Sequence, residues 1–407
     1  MEVLQSLVGM VAIILAGYAL SSSRSDVNWR TIGGAFAIQF SVAALVLYLP
    51  AGKDGLQAVA GVVLNVLGYA QAGMDFMFGE FASNSYGFVF ALQVLPIIVF
   101  FASLVAVLYH LGIMERLVSL IGGFIQLVLG TSKAESMSAA TNIFIGQTEA
   151  PIAIKPYIAG MSTSELFAVM VGGMATVSGA VLGGYAAAGV EMKYLLAASF
   201  MAAPAGLMMA KLIMPHTGPG SDAIDVHEEI REQRAVNVID AAATGALQGL
   251  QLALSIGALL LAFIALIALM NGMIGWLGSL VGFESLTLQE ILGYLFQPVA
   301  FLIGVPWDET RQVGSLLGQK FMLNEFIAFL DFAQNHQNLS ERTQAIVTFA
   351  LCGFACLSSI AILVGGIGIL APSRREELSQ LGLLAVVAAT LANLMSATIA
   401  GFMISIG

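Results

Sequence analysis

The chain has 407 residues, 58% of them hydrophobic and only 10% charged, with a mean hydropathy of +0.91. A soluble domain carries about 25% charged residues, so this composition excludes a soluble enzyme or a disordered chain and points to a polytopic membrane protein. The net charge of −10, with no basic patch, removes the electrostatic basis for binding nucleic acid. The 44 glycines suit membrane helices that approach one another closely. Two cysteines, Cys352 and Cys356, share one apolar run; they make no disulfide framework and have no His beside them to complete a metal site. Glu2 stands where a secretory signal would be basic, so the first apolar segment is expected to be retained.

A helix crosses the hydrocarbon with roughly 20 mostly apolar residues. In chain order the segments that qualify are Val3–Leu20, Ile32–Leu49, Gly87–Tyr109, Glu165–Ala186, Tyr194–Met214, Leu247–Met270, Thr343–Leu370 and Leu381–Ile406. Gly55–Phe78 mixes apolar residues with Gln, Asn and Asp, which predicts a helix lying in the interface, and Leu286–Leu295 is a second such stretch. Basic residues favour the cytoplasmic side, which places the loops holding Arg24 and Arg374 there and both termini outside. The longest polar loop, Pro215–Asp240, is acidic but holds Arg231 and Arg234. No Pro/Gly/Ser-rich linker divides the chain, so residues 1–407 read as one membrane domain.

Two segments interrupt the apolar pattern. Ser138–Pro156 holds Asn142, Gln147, Thr148, Glu149 and Lys155, together with Pro151 and Pro156, which cannot donate to a helix ladder. Gly314–Phe329 holds Lys320, Asn324 and Glu325. Each has an apolar arm, a polar centre and a second apolar arm, the pattern of a hairpin that enters the membrane and returns. Irregular backbone at that depth is tolerated only where protein or a wet cavity surrounds it. Each segment precedes a related run, Thr176–Gly184 (TVSGAVLGG) and Ala355–Gly366 (ACLSSIAILVGG), which predicts a duplicated module. A carboxylate near a helix centre costs about 2.5–3.5 kcal/mol on insertion scales, and Glu149 and Glu325 each have an amide nearby, so a polar cavity is expected. Glu135, Glu165 and Lys211 are expected at an interface, without a role.

The stretch Gly318–Phe329 (GQKFMLNEFIAF) resembles the signature Gly-x-Lys-x-x-x-Asn-Glu-Phe-(Val/Ile)-Ala-(Phe/Tyr/Met) of the concentrative nucleoside transporters. GQTEAP (Gly146–Pro151) and the GFAxLSS stretch (Gly353–Ser359) are similar to the same family and stand in its order. The resemblance implies an all-α integral membrane fold with about eight transmembrane helices, two re-entrant helical hairpins, interfacial helices and broken helices in an inverted repeat. It makes Met137–Pro156 and Val313–Phe332 the hairpins, and Glu165–Ala186 and Thr343–Leu370 the broken helices. It further implies a homotrimer in the cell inner membrane, each protomer with a scaffold (roughly 1–130 and 241–280) and a mobile transport part (roughly 131–214 and 284–407). Function follows as nucleoside import by Na+ symport through an elevator-like alternation of access.

The same resemblance assigns the nucleobase to Gly146, Gln147, Thr148 and Glu149, apolar walls to Val181 and Phe354, and the ribose to Glu325, Ser359 and the position of Cys356. Amides and carboxylates match the donors and acceptors of a base edge and of vicinal hydroxyls. Cys356 is a departure: the family usually has Asn there, and a thiol is a poor substitute for an amide on a ribose hydroxyl. The coupling ion is assigned to Asn142, the Ile145 carbonyl, Thr176 and the Val177 carbonyl, an oxygen set suited to a hard monovalent cation.

Two other readings stand beside this one. A proton-coupled transporter of the same fold would use Glu149 or Glu325 as carrier. An intramembrane enzyme would need a catalytic constellation, yet His110, His216, His227 and His336 lie at segment ends or in loops and no Ser/His or His/Asp set falls mid-membrane.

Overall fold

A computed structural model describes residues 2–82, 89–147, 149–216, 235–280 and 286–406. Thr148, the first residues of the span expected from Gly87, and the loop positions His227, Arg231 and Arg234 lie outside the described residues. Among the described residues the chain is helical, with no strand. Helices α1 (Glu2–Ala19), α2 (Trp29–Ala43, extended by a π-helical turn Ala44–Tyr48), α3 (Pro50–Gly68), α4 (Ala70–Phe78), α5 (Phe90–Gln93), α6 (Leu95–His110) and α7 (Ile113–Leu129) lead to the first hairpin. There follow α8 (Lys133–Asn142), α9 (Lys155–Ile158), α10 (Thr163–Ala175), α11 (Gly179–Ala187), α12 (Met192–Ile213) and α13 (Val238–Leu280). The second half comprises α14 (Leu288–Leu302), α15 (Thr310–Met322), α16 (Glu325–Asn335), α17 (Glu341–Leu351), α18 (Ser358–Leu370) and α19 (Arg375–Ile406).

Eight helical runs among the described residues are long and apolar enough to cross a membrane, but they are not all the expected eight. The stretch expected to lie in the interface, Gly55–Phe78, falls within the run Pro50–Ala82, which has the length and mean hydropathy of a span but is divided between α3 and α4 at Tyr69 and carries Lys53, Asp54, Asp75 and Glu80. Thr343–Leu370 does not qualify, because its break leaves helices of 11 and 13 residues. The α7 helix was not among the expected spans: Glu115 and Arg116 interrupt its apolar run, yet Met114, Val118, Gly122, Ile125 and Leu129 form a buried face.

Burial divides the helices into two sets. The run Thr163–Ala187 is 94% buried over its apolar window and Met192–Ile213 is 89% buried, whereas Phe90–His110 and Val238–Leu277 are each 17% buried. The inner helices carry small residues all round and pack on all sides, as a helix apolar on every face must. The outer pair α6 and α13 run along each other, because Gly245 and Gly249 bring the backbones together. A Cβ on Gly249 would lie 2.7 Å from that of Ala102, closer than any side chain allows. α1 and α2 are only 28% and 33% buried over their apolar windows, but the faces they do bury pack on α12 and α19.

Three residues expected at an interface are interior. Glu135, Glu165 and Lys211 are 3%, 0% and 6% exposed. Glu135 and Glu165 close capping boxes with Ser132 and Ser162 at the starts of α8 and α10, and Lys211 ion-pairs with Glu135 and donates to Ser164 Oγ at 3.0 Å. The Ser-x-x-Glu spacing announces both boxes in the sequence. Their role is to seat the first hairpin and the first broken helix on the end of α12.

Candidate functional site

Each hairpin is a helix that stops short. In the first, α8 ends at Asn142 and the chain returns through a 3-10 turn, Ala150–Ile154, into the single turn α9. The return arm is irregular because Pro151 and Pro156 lack the amide hydrogens a regular helix would use. In the second, α15 and α16 are both regular, and Asn324 caps α16 by accepting from Ile327 N at 2.9 Å. The two broken helices part at Thr176–Ser178, between α10 and α11, and at Cys352–Leu357, between α17 and α18.

Backbone bonds hold hairpins and breaks together. Gly179 N donates to Phe144 O at 3.0 Å, Leu357 N donates to Phe321 O at 3.2 Å, and Phe354 N donates to Thr176 O at 3.2 Å, joining the two breaks directly. Unwound segments expose amides and carbonyls that a continuous helix would consume, and here they are spent on one another or turned toward the interior.

Around this junction lies a continuous run of side chains. Gln147 Nε2 reaches Ser359 Oγ at 3.4 Å. Ser359 Oγ and Cys356 Sγ are 3.2 Å apart, and Cys356 Sγ contacts Glu325 Oε2 at 3.8 Å. Tyr185 OH donates to Glu325 Oε1 at 3.3 Å. Glu325 is 6% exposed and Gln147 4%, so the first hairpin, the second hairpin and the second break converge in the interior. Glu149 is half-buried on the other flank, over Gly146: a Cβ there would lie 2.7 Å from Glu149 Oε2 and 3.4 Å from Ser178 Cβ. Only a glycine admits the carboxylate at that distance. Val181 is buried in the first turn of α11, its amide bonded to the capping Ser178. Phe354 is half-buried at the second break.

The expected ion residues also meet. Asn142 is 1% exposed and lies against Gly172, one turn before Thr176. Ile145 and Val177 fall outside the helices, where their carbonyls are free of a helical ladder. Thr176 Oγ1 gives its hydrogen to Gly172 O at 2.9 Å, which leaves its lone pairs to face a cation. Asn142 Oδ1, Thr141 Oγ1 and Gln147 Oε1 are buried oxygens with no partner among the described residues. Buried acceptors left without a donor cost about 1–3 kcal/mol each, so this cluster fits a positive or hydrogen-bonding guest.

Sequence reasoning missed two residues of the site. Tyr185 is fully buried, stacked 4.2 Å from the Phe329 ring centroid, and holds Glu325 from the first repeat. Asn393, in α19, bonds Ala175 O and Cys352 O at 2.7 and 3.1 Å and so spans both breaks. Tyr185 is the lone polar group of α11, and Asn393 is the amide among the small hydroxyl residues in the apolar stretch of α19, the signals that could have flagged them.

Comparison with known proteins agrees with this architecture. Residues 194–401 match the family model described as Na+ dependent nucleoside transporter C-terminus, residues 8–81 its N-terminus counterpart, and residues 91–192 a gate described as nucleoside recognition. The nucleoside permease NupC of Helicobacter pylori is 48% identical over 98% of both chains. Sodium/nucleoside cotransporter 1 of Rattus norvegicus is 37% identical over 99% of this chain and 64% of its own length. Among solved structures, CNTnw in an inward-facing substrate-bound state superposes with a TM-score of 0.96 at 53% identity, covering 100% of this chain and 99% of that one. An outward-facing CNTnw variant gives 0.97 at 52% identity over 100% of both. The chain therefore belongs to the Na+-dependent nucleoside transporter family and is a membrane transporter rather than an enzyme.

Proposed function

We propose that the chain imports nucleosides, each with one Na+, through the junction of the two hairpins and the two helix breaks. The observation that carries this reading is the buried run Gln147–Ser359–Cys356–Glu325, which draws both repeats to one place. Gln147, Thr148 and Glu149 read the base edge over Gly146, Val181 and Phe354 wall it, and Glu325, Cys356 and Ser359 take the ribose. Na+ enters as a second substrate at Asn142, Thr176 and the carbonyls of Ile145 and Val177. The unpartnered Asn142 Oδ1 supports this, and so does the family model's description, which favours Na+ over the proton alternative.

One charge crossing about 100 mV supplies about 2.3 kcal/mol, and a tenfold Na+ gradient adds about 1.4 kcal/mol. Together they support accumulation on the order of 500-fold, so one ion suffices.

Access alternates as the hairpins, broken helices, α12 and α19 move as one body along α13 and α6. CNTnw has been solved in outward-facing, intermediate and inward-facing states, which supports such a motion. Because α1 and α2 pack on α12 and α19, we place them with the moving body, a narrower scaffold than the 1–130 expected from sequence. The apolar outer face of α13 suits trimer and lipid contact in a bacterial inner membrane, in keeping with the permease relatives. Radiolabelled uridine and adenosine uptake into proteoliposomes, with Na+ and pH gradients imposed separately, tests the whole reading. Uptake driven by Na+ alone supports it; uptake driven only by the pH gradient overturns the choice of ion.

A further inference from the structure

Tyr185 is fully buried in α11, yet it carries a hydroxyl. A phenylalanine would fill the same apolar place without a polar atom to satisfy, so the hydroxyl needs a use. It donates to Glu325 Oε1 at 3.3 Å. Glu325 opens α16, the return arm of the second hairpin, so this bond runs from the first repeat to the second.

The ring is fixed as well as the hydroxyl. Its centroid lies 4.2 Å from that of Phe329 at an interplanar angle of 31°, and 4.8 Å from that of Phe326 at 57°. Phe326 and Phe329 stand three residues apart on one face of α16, directly after Glu325. Phe90 meets Phe326 edge-on at 5.3 Å and backs the cluster. The phenol cannot swing away from the carboxylate without leaving both rings.

Glu325 is 6% exposed, and no cation among the described residues pairs with it within 4.0 Å. A carboxylate buried in this way depends on hydrogen-bond donors. Oε1 has the phenol of Tyr185. Oε2 has the Cys356 thiol at 3.8 Å, a weak donor that is itself 3.2 Å from Ser359 Oγ. Oε2 is therefore the oxygen left on the side of the residues given to the ribose. Val181, given to the base as a wall, lies one turn before Tyr185 on the same face of α11. The wall of the base and the anchor of the sugar carboxylate ride on one half-helix, about 6 Å apart along its axis.

We propose that Tyr185 is a positioning residue for the sugar: it pins one oxygen of Glu325 so that the other is held toward the ribose hydroxyls, in register with the base wall on its own helix. This rests on the ribose role proposed above for Glu325. Tyr185 touches no solute in that reading and acts through the carboxylate. Its hydroxyl should accordingly matter only for solutes whose sugar has hydroxyls for Glu325 to accept from.

The test is equilibrium binding of uridine and of 2′,3′-dideoxyuridine at saturating Na+ to wild type, Tyr185→Phe and Phe329→Leu. Wild type is expected to prefer uridine by about 100-fold, the scale of a charged hydrogen bond left unmade in a site built for it. Tyr185→Phe is expected to weaken uridine by about tenfold and to leave dideoxyuridine within about twofold, so the preference falls by about tenfold. A packing role alone would weaken both solutes together. A preference unchanged in a folded Tyr185→Phe protein therefore overturns the proposal while leaving the ribose role of Glu325 standing. Where Tyr185→Phe does not fold, Phe329→Leu decides, because it keeps the hydroxyl and loosens the ring: a preference lowered by about threefold supports the proposal, and an unchanged one overturns it. Wild type that binds both solutes equally overturns the ribose role of Glu325 and the proposal with it.

Discussion

The first repeat brings Asn142, Thr141 and Gln147 to its break with oxygens that have no partner among the described residues, while the second brings Lys320 to the Ala350 carbonyl just before its own break and sets Glu325 between Tyr185 and Cys356. The backbone scheme is shared, down to the bond from each broken helix to a hairpin Phe carbonyl. The side chains are not. An inverted repeat supplies two equivalent frames, and function is assigned by what each frame leaves unsatisfied: the first awaits guests, the second is largely closed and offers one carboxylate. This asymmetry explains how duplicated architecture serves two different solutes.

The comparison can be broken most severely at Glu325. Glu325→Gln removes the carboxylate that would accept from ribose hydroxyls, and uridine uptake is expected to fall by about 100-fold or more, on the scale of a buried charged hydrogen bond lost in a site built around it. The yield of folded protein should hold, since the amide still fits beside Tyr185. Asn142→Leu removes the unpartnered acceptor of the first repeat, and half-activating Na+ is expected to rise by roughly 10- to 100-fold in uptake assays, while uridine affinity at saturating Na+ changes less. Gly146→Ala places a methyl 2.7 Å from Glu149 Oε2 and displaces that carboxylate. The KM for uridine is expected to rise by about tenfold, a misplacement cost.

A sharpening prediction concerns Cys356→Asn, which restores an amide beside Glu325. Uridine KM is expected to fall by about 3- to 10-fold, the worth of one neutral hydrogen bond, and a dideoxynucleoside lacking the ribose hydroxyls should show no gain. The smallest effect belongs outside both repeats. Glu191→Gln breaks an exposed pair with Lys193 at 2.6 Å and should alter uptake by less than about twofold.

Much of this was legible because it is written in local rules. Polar residues inside apolar runs marked both hairpins, and paired small-residue stretches marked both breaks. Long-range partners were not legible: Tyr185 acquires its meaning only when α11 packs against α16, and Asn393 only when α19 crosses both breaks. Glu135 and Glu165 were misjudged because charge in a weakly apolar segment was weighed without the capping serine three residues earlier. The α7 helix was passed over because Glu115 and Arg116 cut its apolar run to Leu117–Leu129, shorter than a bilayer crossing needs.

Cys356 offers the most direct test of where the solute binds, since it is a native thiol placed between Glu325 and Ser359. In a Cys352→Ser background, modification of Cys356 by a small thiosulfonate is followed with and without uridine in Na+. Uridine at about ten times its dissociation constant should slow the reaction by roughly tenfold, in proportion to occupancy. A modification rate unchanged by bound uridine would place the solute elsewhere and contradict the account.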